Sequence, residues 1–237
     1  MNKIKWLNPL ELDFPSIHCA LDEPNGLVAA GGDLSPERLL LAYKRGIFPW
    51  YEEGQPILWW SPNPRAILFP QDIKISRSLY KKLNANKFEI RLDTAFADVV
   101  RRCGDPREYA EGTWLTDDMS QAYQRLHDMG LAHSVECFQE GELVGGLYGV
   151  SLGRLFFGES MFHQVTDASK VALAWLCRLM VEVRCPLIDC QVPNDHLTSL
   201  GAIEMERDVF ENYLMRYAGS DVEPIDWQAL STRPGSW

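Results

Sequence analysis

Residues 133–192 constrain the fold more than any other part of the chain. Three strand-length stretches, HSVECF, ELVGGLYGV and RLFFGESMF, are separated by QEG and SLG, both of which are turn chemistry. Connections that short join antiparallel neighbours. A helix-length segment from about Ala168 to Val183 follows, with Ala172, Trp175, Leu176, Leu179, Met180 and Val183 at helical spacing. PLIDCQV then reads as a buried strand, and ERDVFENYLMRY as a last helix. Meander, helix, strand and helix in that order predict a sheet layered against helices, an α+β architecture.

Upstream, GGDLSPERLLLAYKRG is a punctuated helix: Ser35 caps it, Pro36 suits its first position and Gly46 stops it. Ser76 to Asn84 reads as helix and FEIRL as strand. Asp93 is expected to cap a helix with Phe96, Val99, Val100 and Cys103 on one face, ended by Gly104. Thr116 is expected to cap another, with Met119, Ala122, Tyr123, Leu126 and Met129 inward and Gly130 as its stop. Between these regions, GIFPWYEEGQPILWWSPNPR carries three of the eight tryptophans (Trp50, Trp59, Trp60) and four prolines. Regular texture resumes after it. Two domains are expected, a small one over 1–64 and a larger one over 65–237.

The chain has a net charge of −10, which disfavours indiscriminate binding to nucleic acid. Residues 74–107 run against that balance, with nine Lys and Arg against four Asp and Glu. Such a stretch is either a solvated helical face or a site for a selected polyanion. No apolar run is long enough to span a membrane, and MNKIKWLNPLELDFP lacks the apolar core of a signal peptide. Six scattered cysteines without CxxC spacing fit reduced thiols in a cytoplasmic protein. The five histidines lack metal-ligand spacing, so no metal is expected, and no GxSxG, P-loop or GxGxxG occurs.

Three places are too polar for their surroundings. In LIDCQV, strand alternation puts Asp189 and Gln191 on one face, with Ile188, Cys190 and Val192 on the other. A carboxylate and an amide there form either a structural hydrogen-bond network or a catalytic pair. In FFGESMF, alternation groups Glu159 with Phe157 and Met161. Its carboxylate grips a ligand's ammonium or guanidinium group, or else pairs with the protein's own arginine. In EGTWLTDDM, Trp114 is either core or an exposed platform.

The element order resembles the acyltransferase fold of the GNAT superfamily. In that superfamily a glycine-bearing turn opens the long helix and receives the pyrophosphate of CoA. Here the position reads HQVTDASK, without glycine. The fold is expected without the CoA site. A more specific likeness is carried by EPNGL, GGDLSPERLL, AYKRGIFPW, ILWWSPNPRA, EGTWLT, GELVGGLYGV, FGESMF, ASK, LIDCQV and NDHLTSLGA, in order from about residue 13 to 210. Together they resemble the bacterial leucyl/phenylalanyl-tRNA–protein transferases.

That resemblance implies a small N-terminal domain joined to a GNAT-like acyltransferase C-terminal domain. It implies transfer of Leu, Phe or Met from aminoacyl-tRNA to the α-amine of proteins beginning with Arg or Lys, marking them for degradation by the N-end rule. No cofactor and no metal are implied, and a monomer is expected. Trp50 and Trp114 correspond to platforms for the 3′-terminal adenosine, and Trp59 and Trp60 are read as packing between the domains. Leu147, Phe156, Met161, Leu173, Leu176 and Ile188 correspond to the donor side-chain pocket. Lys74, Arg77, Lys81 and Lys82 are expected on the tRNA backbone. Glu159 corresponds to a contact with the acceptor peptide, and Asn194 is a second candidate there. Asp189 and Gln191 correspond to the catalytic pair. A neutral amide is a poor base, so Asp189 is expected to polarise a relay while Gln191 positions the amine. The competing readings are a GNAT-like acyltransferase with another donor, a two-domain amino-acid ligase, for which the chain is too short, and a tRNA-binding module without activity.

Overall fold

A computed structural model of the protein describes residues 4–105, 115–233 and 237. Its first 60 residues build a four-stranded sheet from β1 (Lys5–Leu7), β2 (Leu27–Gly31), β3 (Phe48–Pro49) and β4 (Leu58–Trp60), in the order β1-β2-β4-β3. Helix α1 (Pro36–Lys44) starts as the sequence predicts. Ser35 Oγ accepts from the Arg38 N–H, and Gly46, at φ 71°, takes the left-handed position past the helix end. Trp59 is fully buried edge-on to Phe14, with Nε1 donating to the Gly31 carbonyl at 2.8 Å. The buried cluster it joins includes residues of both proposed domains, among them Phe14, Ile67 and Phe157. Trp60 lies edge-on to Trp50 instead.

From Arg65 onward a seven-stranded sheet forms. It comprises β5 (Arg65–Leu68), β6 (Glu89–Leu92), β7 (Ala132–Gln139), β8 (Glu142–Leu152), β9 (Leu155–His163), β10 (Ile188–Gln191) and β11 (Ile203–Met205), in the order β11-β5-β10-β9-β8-β7-β6. The expected meander of β7, β8 and β9 is antiparallel, and β6 extends it by pairing antiparallel with β7. Around it lie α2 (Arg77–Asn84), α3 (Phe96–Cys103), α4 (Asp117–Asp128), α5 (Ala168–Glu182), α6 (Asp195–Ser199), α7 (Arg207–Tyr217) and α8 (Trp227–Ser231). Helix α5 carries the chain back so that β10 runs parallel to β9, and β5 closes antiparallel on the other edge of β10. The architecture is α+β, as expected.

Helix α5 is buried on nearly all sides: Ser169, Ala174 and Cys177 are as enclosed as Ala172, Trp175, Leu176, Leu179 and Met180, while Val183, expected inward, is half-buried just past its end. Its N-terminus presses on β8 at Gly145, where an added Cβ would lie 2.5 Å from the Ala168 Cβ. Two local expectations are corrected. Asp93 does not cap α3. It sits at φ 57°, and its carboxylate accepts from the Ser134 N–H and meets His133 Nδ1. No side chain caps α3; Glu136 on β7 accepts from the backbone N–H groups of Thr94 and Ala95 and so fixes the segment that leads into the helix. Met129, placed inward by helical spacing, is exposed just past the end of α4. The tail adds an unforeseen element. Trp227 of α8 stacks on His133 at 4.2 Å, and Trp237 meets Trp175 edge-on.

Candidate active site

The parallel pairing of β9 and β10 holds Ile188 beside Phe156 and Asp189 beside Phe157, and goes no further. Just past that point each strand carries a bulge. On β9, Tyr148 faces Ser160 and Gly149 faces Gly158, leaving Glu159 as the extra residue. On β10, Asp189 faces Ile67 and Gln191 faces Ala66, leaving Cys190 extra, with Gln191 at φ 64°. Bulges bend a strand and re-aim its side chains. Here they turn Glu159 and Gln191 toward one another, and Gln191 Nε2 donates to Glu159 Oε1 at 2.7 Å.

Beyond the bulges opens a cleft of about 1060 Å³. All six residues expected in the donor pocket line it: Leu147 from β8, Phe156 and Met161 from β9, Leu173 and Leu176 from α5, and Ile188 from β10. Trp50 lines it too and is 47% exposed. Its ring is braced by Trp60, whose Nε1 donates to the Trp50 carbonyl at 2.7 Å. Trp114 lies outside the described residues. Asn194 is on the cleft wall, where its Oδ1 accepts from the Leu197 N–H and caps α6.

Glu159 has no arginine partner among the described residues. Tyr43 of α1 donates to Oε1 at 2.7 Å, and Tyr123 of α4 donates to Oε2 at 2.6 Å. The two phenolic oxygens are 2.9 Å apart. Burial pushes the Glu159 carboxyl up to about 7, helped by the charge of Asp189 and opposed by the three donors. Burial, with Glu159 next to them, also holds both phenols well above their usual range. Nothing in the sequence pattern marked Tyr43 or Tyr123 beyond helical spacing. The usable signal was chemical, since a buried tyrosine hydroxyl requires a partner.

Asp189 departs from the alternation expectation. It is fully buried and off the cleft wall, while Cys190, Gln191 and Val192 are on it. Arg65 grips it through two bonds, Nε to Oδ1 at 2.8 Å and Nη2 to Oδ2 at 2.6 Å. The guanidinium lies between the rings of Phe48 and Phe210, 4.8 and 4.9 Å from their centroids. Asp189 Oδ1 also accepts from the backbone N–H of Gln191 at 2.9 Å. Of the two readings left open, the geometry is that of a hydrogen-bond network. That network holds the bulge that aims Gln191.

Lys74, Arg77 and Lys81 are exposed, without a carboxylate partner among the described residues. Lys82 differs from the expectation, because its Nζ is taken by Asp167 Oδ2 at 2.5 Å and the Thr166 carbonyl at 3.1 Å. Asp167, at φ 71°, also pairs with Lys170 and puts a carboxylate in front of α5, where a CoA-type site would seat a phosphate. No three His, Cys, Asp or Glu side chains converge as a metal site among the described residues. Nor is any described helix long and apolar enough to cross a membrane.

Among solved structures, the chain is similar to a GCN5-related N-acetyltransferase from Kribbella flavida, at 11% identity and a TM-score of 0.39, over 72% of this chain and 61% of that one. It is also similar to L-PGS from Bacillus licheniformis, at 15% identity and a TM-score of 0.39, over 85% and 62%. It thus spans about three fifths of each. Curated relatives are far nearer. Proteins named leucyl/phenylalanyl-tRNA–protein transferase match at 52% identity in Cellvibrio japonicus (96% of this chain, 97% of the relative) and 53% in Stutzerimonas stutzeri (95% and 100%). The Pseudomonas aeruginosa relative of that name is 54% identical (90% and 95%). The family profile described as leucyl/phenylalanyl-tRNA protein transferase matches residues 67–215, and the profile of its N-terminal domain matches residues 32–63. Matched over nearly its whole length by these relatives and by the family profile, the chain belongs to the leucyl/phenylalanyl-tRNA–protein transferase family.

Proposed function

We propose that the protein transfers Leu, Phe or Met from aminoacyl-tRNA to the α-amino group of proteins beginning with Arg or Lys, marking them for N-end rule degradation in the cytoplasm. Family membership supplies the coarse statement, passage of an aminoacyl group from tRNA to protein. One observation carries the finer one: six apolar side chains, an exposed tryptophan and a carboxylate–amide pair line a single cleft. The pocket suits an unbranched or aromatic side chain, and Trp50 offers a stacking face for the terminal adenine. Stacking contributes on the order of 1–3 kcal/mol per base and reads no sequence, which suits an enzyme accepting several tRNAs. Glu159, joined on the cleft wall by Asp105, favours a cationic acceptor. We read residues 1–64 as the small domain, 65–237 as the catalytic one, and the protein as a monomer acting without metal or cofactor.

The reaction is aminolysis of an ester that is already activated, so orientation and a neutral amine suffice. The amine nitrogen bonds to the ester carbonyl carbon, and the bond to the ribose 3′-oxygen breaks. The 2′-hydroxyl passes a proton from the nitrogen to that oxygen. Gln191 holds the amine, and Asp189 acts through the Gln191 backbone. The test combines purified protein, an Arg-initiated peptide and either Leu-tRNA or acetyl-CoA, with peptide mass as the readout. Gain of one leucyl residue from the tRNA donor supports the proposal. Acetylation would identify an acyltransferase with another donor, and no product with tRNA still bound would identify a binding module.

A further inference from the structure

We propose that Glu159 is the base that takes the proton from the acceptor's α-ammonium group, with Tyr43 and Tyr123 completing a ring that stores it. This rests on the aminoacyl-transfer reading and adds a proton acceptor, which Gln191, as an amide, cannot be.

Protons and oxygen pairs in this cluster do not match in number. Three oxygen–oxygen contacts link Glu159, Tyr43 and Tyr123: Tyr43 Oη to Glu159 Oε1 at 2.7 Å, Tyr123 Oη to Glu159 Oε2 at 2.6 Å, and Tyr43 Oη to Tyr123 Oη at 2.9 Å. With the carboxyl ionised, two phenolic protons serve three contacts. Both go to the carboxylate, and the contact between the phenols is left without one. A single added proton closes the ring. Glu159 Oε1–H then donates to Tyr43, Tyr43 donates to Tyr123, and Tyr123 donates to Glu159 Oε2. The cluster is therefore built for one more proton than the ionised carboxylate brings.

The proton arrives from the cleft. Glu159 and Gln191 both line it, whereas Tyr43 of α1 and Tyr123 of α4 are fully buried and off its wall. Gln191 turns its Nε2 to the carboxylate, which leaves its amide oxygen to accept from the incoming ammonium. Other charges facing Glu159 support the assignment. Asp189 of β10 raises its affinity for a proton, Arg65 of β5 is paired with Asp189, and Tyr148 of β8 is held in its neutral form by burial and by the charge of Glu159. Protonation near pH 7 matches an amine whose own value is about 7.7–8.

The step balances. The ammonium gives one proton to Glu159, and the free amine attacks the ester carbonyl. The second nitrogen proton leaves with the 3′-oxygen, and Glu159 returns its proton to solvent after product departs. No oxidant or co-reactant is needed.

The test is single-turnover leucyl transfer to an Arg-initiated peptide between pH 6 and pH 9.5 (roughly the span that brackets both groups). Glu159→Gln is expected to slow transfer about 100-fold at neutral pH, within the range of general-base catalysis. The deficit should shrink toward unity as the pH passes the amine's own value and solvent supplies the free amine. Tyr43→Phe removes a donor to the carboxylate, so the rising limb of its profile should move to higher pH. A Glu159→Gln deficit equal at every pH, or a Tyr43→Phe limb that stays in place, would overturn the assignment. The second outcome is readable even where the Gln variant folds poorly. No leucyl transfer by wild-type protein at any pH would overturn the aminoacyl-transfer reading itself, and this assignment with it.

Discussion

Arg65 surrenders nearly all its solvent contact to reach Asp189, and the pair holds one backbone N–H of the neighbouring bulge. Buried charges of this kind are stabilising only together. Asp189→Ala leaves a guanidinium unpaired between two aromatic rings, which we expect to destabilise the fold on the order of 3–5 kcal/mol. A denaturant titration measures it. A variant as stable as wild type would show that the ion pair matters only to the chemistry. The sequence already marked Asp189, Gln191 and Glu159 as out of place, and it named the six pocket residues through resemblance. It did not reveal which way Asp189 points. Alternation holds only while the ladder is regular, and an extra residue at Cys190 reverses the pattern for everything after it.

At the scale of elements, the cleft exists because β9 and β10 separate after two paired residues while α5 walls one side. The position of α5 depends on Gly145, whose missing side chain admits Ala168. Gly145→Ala is expected to push the start of α5 outward and destabilise by about 1–3 kcal/mol, the range for overpacking a filled core. Thermal unfolding checks this, and an unchanged midpoint would mean that α5 yields without strain. The sequence located α1 to α5, α7 and β6 to β10 because caps, stops and turns were local signals, such as Ser35, Ser76, Thr116 and QEG, whereas the short strands β1 to β5 and β11 and the short helices α6 and α8 were not read from it. The start of α3 was not legible. Its lead-in at Thr94 and Ala95 is held by the carboxylate of Glu136, some forty residues away, so no window along the chain contains both partners.

For the whole molecule, charge is divided between a net acidic chain and three exposed basic side chains before and on α2. Much of the basic stretch is already neutralised locally, since Lys82 pairs with Asp167, Arg91 with Glu89 and Arg101 with Asp98. Lys74, Arg77, Lys81 and Lys87 are exposed without a carboxylate partner among the described residues, and the first three form the expected contact with phosphates. Replacing all three with Ala is expected to weaken tRNA binding and to lower the salt dependence of log K by about one unit for each phosphate that no longer meets a cation. An unchanged slope would place the tRNA on another face. The C-terminal segment also shows what pattern reading omits. Trp227 closes over His133 from outside any predicted element, because a short helix has too few turns to display periodicity.

A crystal structure of the protein with the 3′-amide of leucyl-adenosine, which resists transfer, would show donor, pocket and base together. The adenine ring is expected on Trp50, the leucyl side chain among Leu147, Met161, Leu173 and Ile188, and the carbonyl carbon facing the Glu159–Gln191 pair. A leucyl group bound outside that pocket, or a carbonyl turned away from Glu159, would refute both the donor site and the base.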